Sequence, residues 1–147
     1  KHQVPYIMMH MKGTPKTMQQ FTDYKDLVTD ILYYFSEKIA DSNSKGIHDI
    51  IIDPGFGFAK TLEQNYELMQ KLELFKTIKK PLLVGISRKS MIYKLLQTDA
   101  KNALNGTTIL NTISILKGAN ILRVHDVKEA FECIELTKQL KAKIDSF

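Results

Sequence analysis

The chain has 147 residues, 44% hydrophobic and 25% charged, a balance that suits one folded globular domain and argues against a disordered segment. Its apolar runs are too short to span a bilayer and its start lacks a secretory-signal layout, so no membrane is expected; the lone Cys133 excludes an internal disulfide framework and suits a reducing cytoplasm. The net charge of +5 is carried by scattered lysines (Lys38, Lys71, Lys76, Lys79, Lys80, Lys138, Lys141, Lys143) with no basic run interleaved with aromatics, so no nucleic-acid partner is expected.

Four apolar, β-branched runs alternate with segments of helical period. The first run, VPYIMM (4–9), is followed by a stripe of Leu27, Val28, Ile31, Leu32, Phe35 and Ile39. The second, IHDIIID (47–53), precedes Leu62, Tyr66, Met69, Leu72 and Phe75. The third, PLLVGIS (81–87), precedes NALNGTTILNTISILKGA, where Gly118 is placed to end a helix. The fourth, ANILRV (119–124), precedes Val127, Ala130, Phe131, Ile134 and Leu140. The order βαβαβαβα predicts an α/β fold with a parallel sheet covered by helices, in one cooperative unit. Two architectures fit: a small open sheet, or the second half of an eight-unit barrel, which needs roughly 250 residues.

In parallel α/β folds function gathers at the carboxyl ends of strands, and all four ends here carry polar or soft groups. The first ends in Met8-Met9-His10-Met11-Lys12-Gly13. The second ends in Asp53 and the loop Pro54-Gly55-Phe56-Gly57-Phe58. Asp53 reads either as a turn opener or as an acceptor for two N–H donors of an aminopyrimidine-like edge. Gly55 and Gly57 allow close approach of backbone to a ligand; Phe56 or Phe58 walls an aromatic substrate or staples the loop down.

The third strand ends in Ser87-Arg88-Lys89-Ser90, where Ser87 or Ser90 can cap a helix and the helix start attracts anions. Adjacent side chains diverge, so one cation is expected to face the pocket and the other solvent, with Lys89 a donor to a ring carbonyl or nitrogen. The fourth ends in Arg123-Val124-His125-Asp126. Arg123 and His125, two apart on a strand, are expected on one face, where a guanidinium can stack on a heterocycle and an imidazole can donate to a phosphate. Asp126 with Glu129 resembles a capping box. His10 lines a pocket or packs; His2 and His48 read as an end residue and a strand-entry residue. No spacing makes a metal cage, no phosphate-binding glycine loop is present, and no Ser-His-Asp set can be argued, since Ser87 sits beside cations rather than a base.

The blocks MMHMKGTPKTMQ, IIIDPGFGFAKTLEQNYELM, PLLVGISRKSMI, LNGTT and ILRVHDV resemble, in order and over essentially the whole chain, the C-terminal half of the dihydropteroate synthase family. The resemblance implies the second half of a (β/α)8 TIM barrel, four βα units from the fifth strand to the eighth helix, with residues 1–147 a single partial domain. It implies a transferase of folate biosynthesis that condenses 6-hydroxymethyl-7,8-dihydropterin diphosphate with p-aminobenzoate, releasing diphosphate. By position Met9, Asp53, Gly57, Lys89 and Arg123 would bind the pterin. Phe58, Ser87 and Arg88 would shape the p-aminobenzoate site, Arg123 and His125 would meet the diphosphate, and Lys89, Arg123 and His125 would carry catalysis. The family's Mg²⁺ ligand, first pterin-binding aspartate and mobile loops would belong to an absent N-terminal half, so no metal ligand is expected here and the fragment alone is expected to be inactive. The resemblance also implies cytoplasmic localisation, membership of a family that is a sulfonamide target, and a homodimer formed through late helices. Tyr93 departs from the glycine expected after SRKSMI, a turn inside the helix. The competing readings are a small α/β pterin- or phosphate-binding module without catalysis and a basic RNA-associated scaffold.

Overall fold

The computed structural model describes residues 4–14 and 16–144. Its elements in chain order are β1 (Tyr6–Met9), α1 (Leu27–Ser44), β2 (Ile50–Asp53), α2 (Leu62–Gln70), β3 (Leu83–Val84), α3 (Ser90–Tyr93), α4 (Leu104–Leu116), β4 (Ile121–Leu122) and α5 (Val127–Ile144), with 3-10 turns at Met18–Gln20 and Leu72–Ile78. His2 lies outside the described residues.

Among the described residues all strand pairing is parallel. β1 runs beside β2 with Met9 opposite Asp53, and β3 runs beside β4 with Val84 opposite Leu122. An isolated bridge between Ile52 and Leu82 joins the two pairs, anchored by the Ile52 N–H donating to the Pro81 carbonyl at 2.9 Å. The strands therefore lie in the order 1-2-3-4, each followed by helix, in a mixed α/β fold. The strands are shorter than the apolar runs that contain them. Pro81 has no N–H to continue the ladder, and beyond Val84 the chain bends into the polar strand-end loop.

The core fills the space between strands and helices: Met8, Ile50, Ile52, Val84 and Ile86 meet Leu27, Val28, Ile31 and Phe35 of α1 and Leu68, Leu72 and Phe75. The stripe of α1 is thus the buried one expected, and Asp26 caps the helix by accepting from the Thr29 N–H. Thr61 and Gln64 form a reciprocal capping box on α2, but the following stripe splits, with Phe75 reaching the core from a 3-10 turn.

Two helical expectations change. α3 has four residues and ends at Tyr93, so Tyr93 closes the helix rather than lying inside it. α5 buries Ala130, Cys133 and Thr137, whereas Val127, Phe131 and Leu140 are exposed. The reason is close packing of α5 on α4 through small side chains, the Cys133 thiol reaching the Thr108 carbonyl at 3.6 Å. No described helix is long and apolar enough to cross a membrane.

Candidate functional site

Asp53 closes β2 and is 2% exposed. Its Oδ1 accepts the Gly55 N–H at 2.8 Å, so the turn role is real. Its Oδ2 is buried without a hydrogen-bond partner, and the Arg123 guanidinium stands 3.9 Å away, longer than a hydrogen bond. Burial raises the carboxyl above its ordinary range, opposed by the Gly55 N–H and by Arg123, Lys89 and Lys60. A buried acceptor left without a donor in a folded chain calls for an explanation.

The loop after Asp53 is built to hold that oxygen still. Gly55 and Gly57 adopt φ of +72° and +78°. A Cβ on Gly55 would collide with the His10 carbonyl, and one on Gly57 would press on Lys89 Cδ at 3.3 Å. The Gly57 N–H donates to Asn65 Oδ1 at 2.6 Å, and the Tyr24 hydroxyl donates to the Ala59 carbonyl at 2.9 Å. The aromatics divide the two roles weighed from sequence. Phe56 is fully buried in the core as the staple, whereas Phe58 is only partly covered and lies under the Lys89 ammonium, 4.5 Å from the ring centre.

Lys89 turns inward at the end of the third strand and donates to the Phe56 carbonyl. Burial lowers its ammonium to about 8. Arg88 goes the other way, as expected of neighbouring side chains. It sits at φ +53°, and its guanidinium grips Asp126 bidentately at 2.9 and 2.8 Å and the carbonyls of Ala100 and Lys101. Asp126 thereby spends its carboxylate on Arg88. Neither serine caps α3: Lys89 is the N-cap, without a side-chain cap bond.

Ser87 points instead at the neighbouring strand end. Its hydroxyl accepts the His125 backbone N–H at 3.2 Å and lies 2.9 Å from His125 Nδ1. Ser87 therefore does sit beside a base, a correction produced by the parallel pairing of β3 with β4. The Ser87 oxygen and His125 Nδ1 thus share one hydrogen bond, whose direction follows the tautomer of the ring. β4 stops at Leu122, so Arg123 and His125 follow the strand rather than ride on it. They nonetheless line one cavity of about 240 Å³ with Gly85, Ser87, Lys89 and Val124. Gly85 makes room there: a Cβ would come within 2.9 Å of Arg123 Nε. A second cavity, about 320 Å³, opens between the glycine–phenylalanine loop and α3, lined by Gly57, Asn65, Ser90 and Lys94 among others.

Met9 is level with Asp53 across the sheet, and its carbonyl accepts from the Tyr34 hydroxyl at 3.3 Å. His10 is a packing histidine, 2% exposed, edge-on to Tyr34 at 5.0 Å. Burial, then Lys60 and Lys12, push its pKa down to about 3, so it is neutral. His48 pairs with Asn43 on the surface at 3.2 Å. Lys60 and Asn65 escaped the reading from sequence, because one looked like a solvated lysine and the other like a polar helical position. The signal for both was their place just after a loop that must be pinned. Among the described residues no three His, Cys, Asp or Glu side chains cluster as a metal cage, and Asp53 faces Lys60, Lys89 and Arg123, a surrounding that repels a cation.

A buried open carboxylate and the cations Arg123, Lys89 and Lys60 around it gather at the ends of parallel strands. A family model described as pterin binding enzyme matches residues 1–125, and the chain belongs to that family. Its relatives include dihydropteroate synthases. It is 43% identical over 137 residues to the dihydropteroate synthase of Escherichia coli (strain K12), covering 92% of this chain and 49% of that one. Among solved structures, the Yersinia pestis dihydropteroate synthase with a sulfonamide drug complex superposes with a TM-score of 0.92 at 39% identity, over 95% of this chain and 52% of that one. The Thermus thermophilus enzyme in complex with 4-aminobenzoate superposes with a TM-score of 0.91 at 32% identity, over 95% and 58%. The chain spans about half the length of the curated relatives it matches.

Proposed function

We propose that residues 1–147 are the C-terminal half of a dihydropteroate synthase barrel, four βα units forming a partial domain and half of an active site. The observation that carries this reading is the open, buried Oδ2 of Asp53, with the Arg123 guanidinium 3.9 Å away and Lys89 close enough to act on its charge. Asp53 accepts from the amino-pyrimidine edge of the pterin. Lys89 donates to the ring oxygen and nitrogen, Arg123 covers the ring plane, and Met9 and the bare Gly57 give the ring room. Phe58 and Ser87 border p-aminobenzoate. Arg88 shapes that border at a distance, by fixing the loop around Ala100 and Lys101 through its carbonyl contacts.

The chemistry follows from charge. The p-aminobenzoate nitrogen attacks the pterin methylene, a C–N bond forms as the C–O bond to diphosphate breaks, and the nitrogen loses a proton. Arg123 and His125 receive the departing negative charge, and no covalent nucleophile is required. Ser87 serves to orient the imidazole. Among the described residues no three His, Cys, Asp or Glu side chains cluster to hold Mg²⁺, so its ligand would belong to the other half of the barrel and no step here is routed through it.

The apolar face left on α4 and α5, with Ile109, Leu116, Phe131 and Leu136 all about half exposed or more, supports a homodimer through these late helices in the complete cytoplasmic enzyme. The test titrates a pterin into the ¹⁵N- and ¹³C-labelled chain. Shifts at Asp53, Lys89 and Arg123 that vanish in Asp53→Asn are expected, and no shift at millimolar pterin would overturn the reading. Diphosphate release by the chain alone would overturn its half-site part. In the complete protein, Lys89→Ala or Arg123→Ala is expected to cut turnover about 10²-fold or more with the fold intact.

A further inference from the structure

The lining of the second cavity includes a buried cation, Lys60, that the proposed chemistry does not use. Lys60 is 4% exposed, and its ammonium directs its three donors at the Gly55 carbonyl (3.0 Å), the Phe58 carbonyl (3.0 Å) and His10 Nδ1 (3.2 Å). His10 is tied to the same loop by its own backbone, its N–H donating to the Asp53 carbonyl at 2.9 Å. Gly55 is thus held at both ends: its carbonyl by Lys60, its N–H by Asp53 Oδ1. The charged and titratable groups facing Lys60 are Asp53 at the end of β2, His10 and Lys12 after β1, and Lys89 before α3. Of these, Asp53 alone is of opposite sign. An interior ammonium is costly unless paired, and a neutral acceptor plus two carbonyls solvate it while leaving its charge to act on Asp53.

We propose that Lys60 is a positioning residue of the strand-end site: its ammonium ties the Gly55 and Phe58 carbonyls to His10 and adds an interior positive charge, beside those of Arg123 and Lys89, against which Asp53 stays a carboxylate with Oδ2 open to a ligand. Burial lowers Lys60 to about 7, with Asp53 pulling it up and Lys89 and Lys12 pushing it down. The influence is mutual, since Lys60 in turn lowers Asp53. The identity of the ligand rests on the pterin reading above; the coupling of Lys60 to Asp53 does not.

The test follows the Asp53 ¹³Cγ resonance through a pH titration of the chain and of Lys60→Met, which keeps the stem and removes the charge. The Asp53 midpoint is expected to move up in the variant; an unmoved midpoint in a folded variant overturns the proposal, because a lysine that only fills space would alter stability and leave Asp53 where it was. If Lys60→Met does not fold, the wild-type chain decides. The Asp53 resonance should then show a second, smaller step at the pH where the Lys60 ¹³Cε resonance titrates, and a flat response there overturns the assignment. A chain in which Asp53 shifts as expected but takes up no pterin supports the role of Lys60 and overturns the pterin reading alone.

Discussion

The Ser87 hydroxyl and the His125 imidazole meet at 2.9 Å across 38 residues of sequence, because β3 and β4 run side by side and end together. One hydroxyl serves both the backbone N–H and the ring of His125, so it holds the loop and the orientation of the imidazole at once. Ser87→Ala removes both bonds from a site that is 6% exposed. A loss of about 1 kcal/mol in denaturant unfolding is expected. In ¹⁵N spectra the balance of ring tautomers should differ between the wild type and the variant.

Glycines at the same backbone dihedral separate strain from collision. Gly46 and Gly57 both lie at φ +78°, yet a Cβ on Gly46 meets nothing within 4 Å. Gly46→Ala should therefore cost only the left-handed penalty, about 1 kcal/mol. Gly55→Ala adds a clash with the His10 carbonyl that only a backbone shift can relieve, so its midpoint in urea should fall clearly below that of Gly46→Ala. Equal midpoints would mean that the loop yields freely.

Acid stability should report the buried histidine. His10 titrates near 6.5 when unfolded and at about 3 when folded, so between those values the unfolded chain binds more protons. Stability then rises with pH across that window, and falls as pH drops from 6.5 toward 3, by up to about 1.4 kcal/mol per unit. His10→Gln, which keeps an acceptor for Lys60, should flatten the slope. Asp53 acts with the opposite sign: its carboxyl is raised by burial, so it costs stability as pH rises through the carboxylate range. Asp53→Asn is expected to be as stable as wild type or more so at pH 7 while losing ligand. Chemical unfolding across pH checks both.

Arg88 and Asp126 should behave as one unit. The bidentate pair and the two carbonyl bonds to Ala100 and Lys101 fasten the loop before α4. Arg88→Ala and Asp126→Ala should each lower the melting temperature, and the double variant should lose little more than Arg88→Ala alone. Arg88→Lys should fail to restore it, since an ammonium cannot reproduce the forked contact. Additive losses in the double variant would break the pairing argument.

Apolar period carried most of the fold. Ile31 and Phe35 in α1, and Ile50 and Ile52 in β2, are buried as the pattern demands. On α5 it held for Ala130 but failed for Val127, Phe131 and Leu140, because Cys133 and Thr137 seat the helix, small residues that hydropathy ranks below the exposed Phe131. The strand-end residues were legible because Asp53, Lys89, Arg123 and His125 interrupt apolar runs where a core strand has no use for them. The Ser87–His125 bond and the Lys60–His10 contact were not legible, since each joins segments that only tertiary pairing brings together. The turn reading of Asp53 holds through one oxygen, and the other stands open, which leaves the ligand reading to the titration proposed above.

Gly85 has no side chain, yet it sets where a guanidinium can go. The Arg123 group lies across the space a Cβ would fill, with Nε at 2.9 Å. In a saturation library this position would score beside the ligand-contacting residues while offering no functional group of its own. Gly85→Ala works as a dial rather than a deletion: it should tilt the guanidinium away from the sheet, changing its aim without touching its charge. Intolerance at position 85 would then measure how closely the site depends on the angle of Arg123.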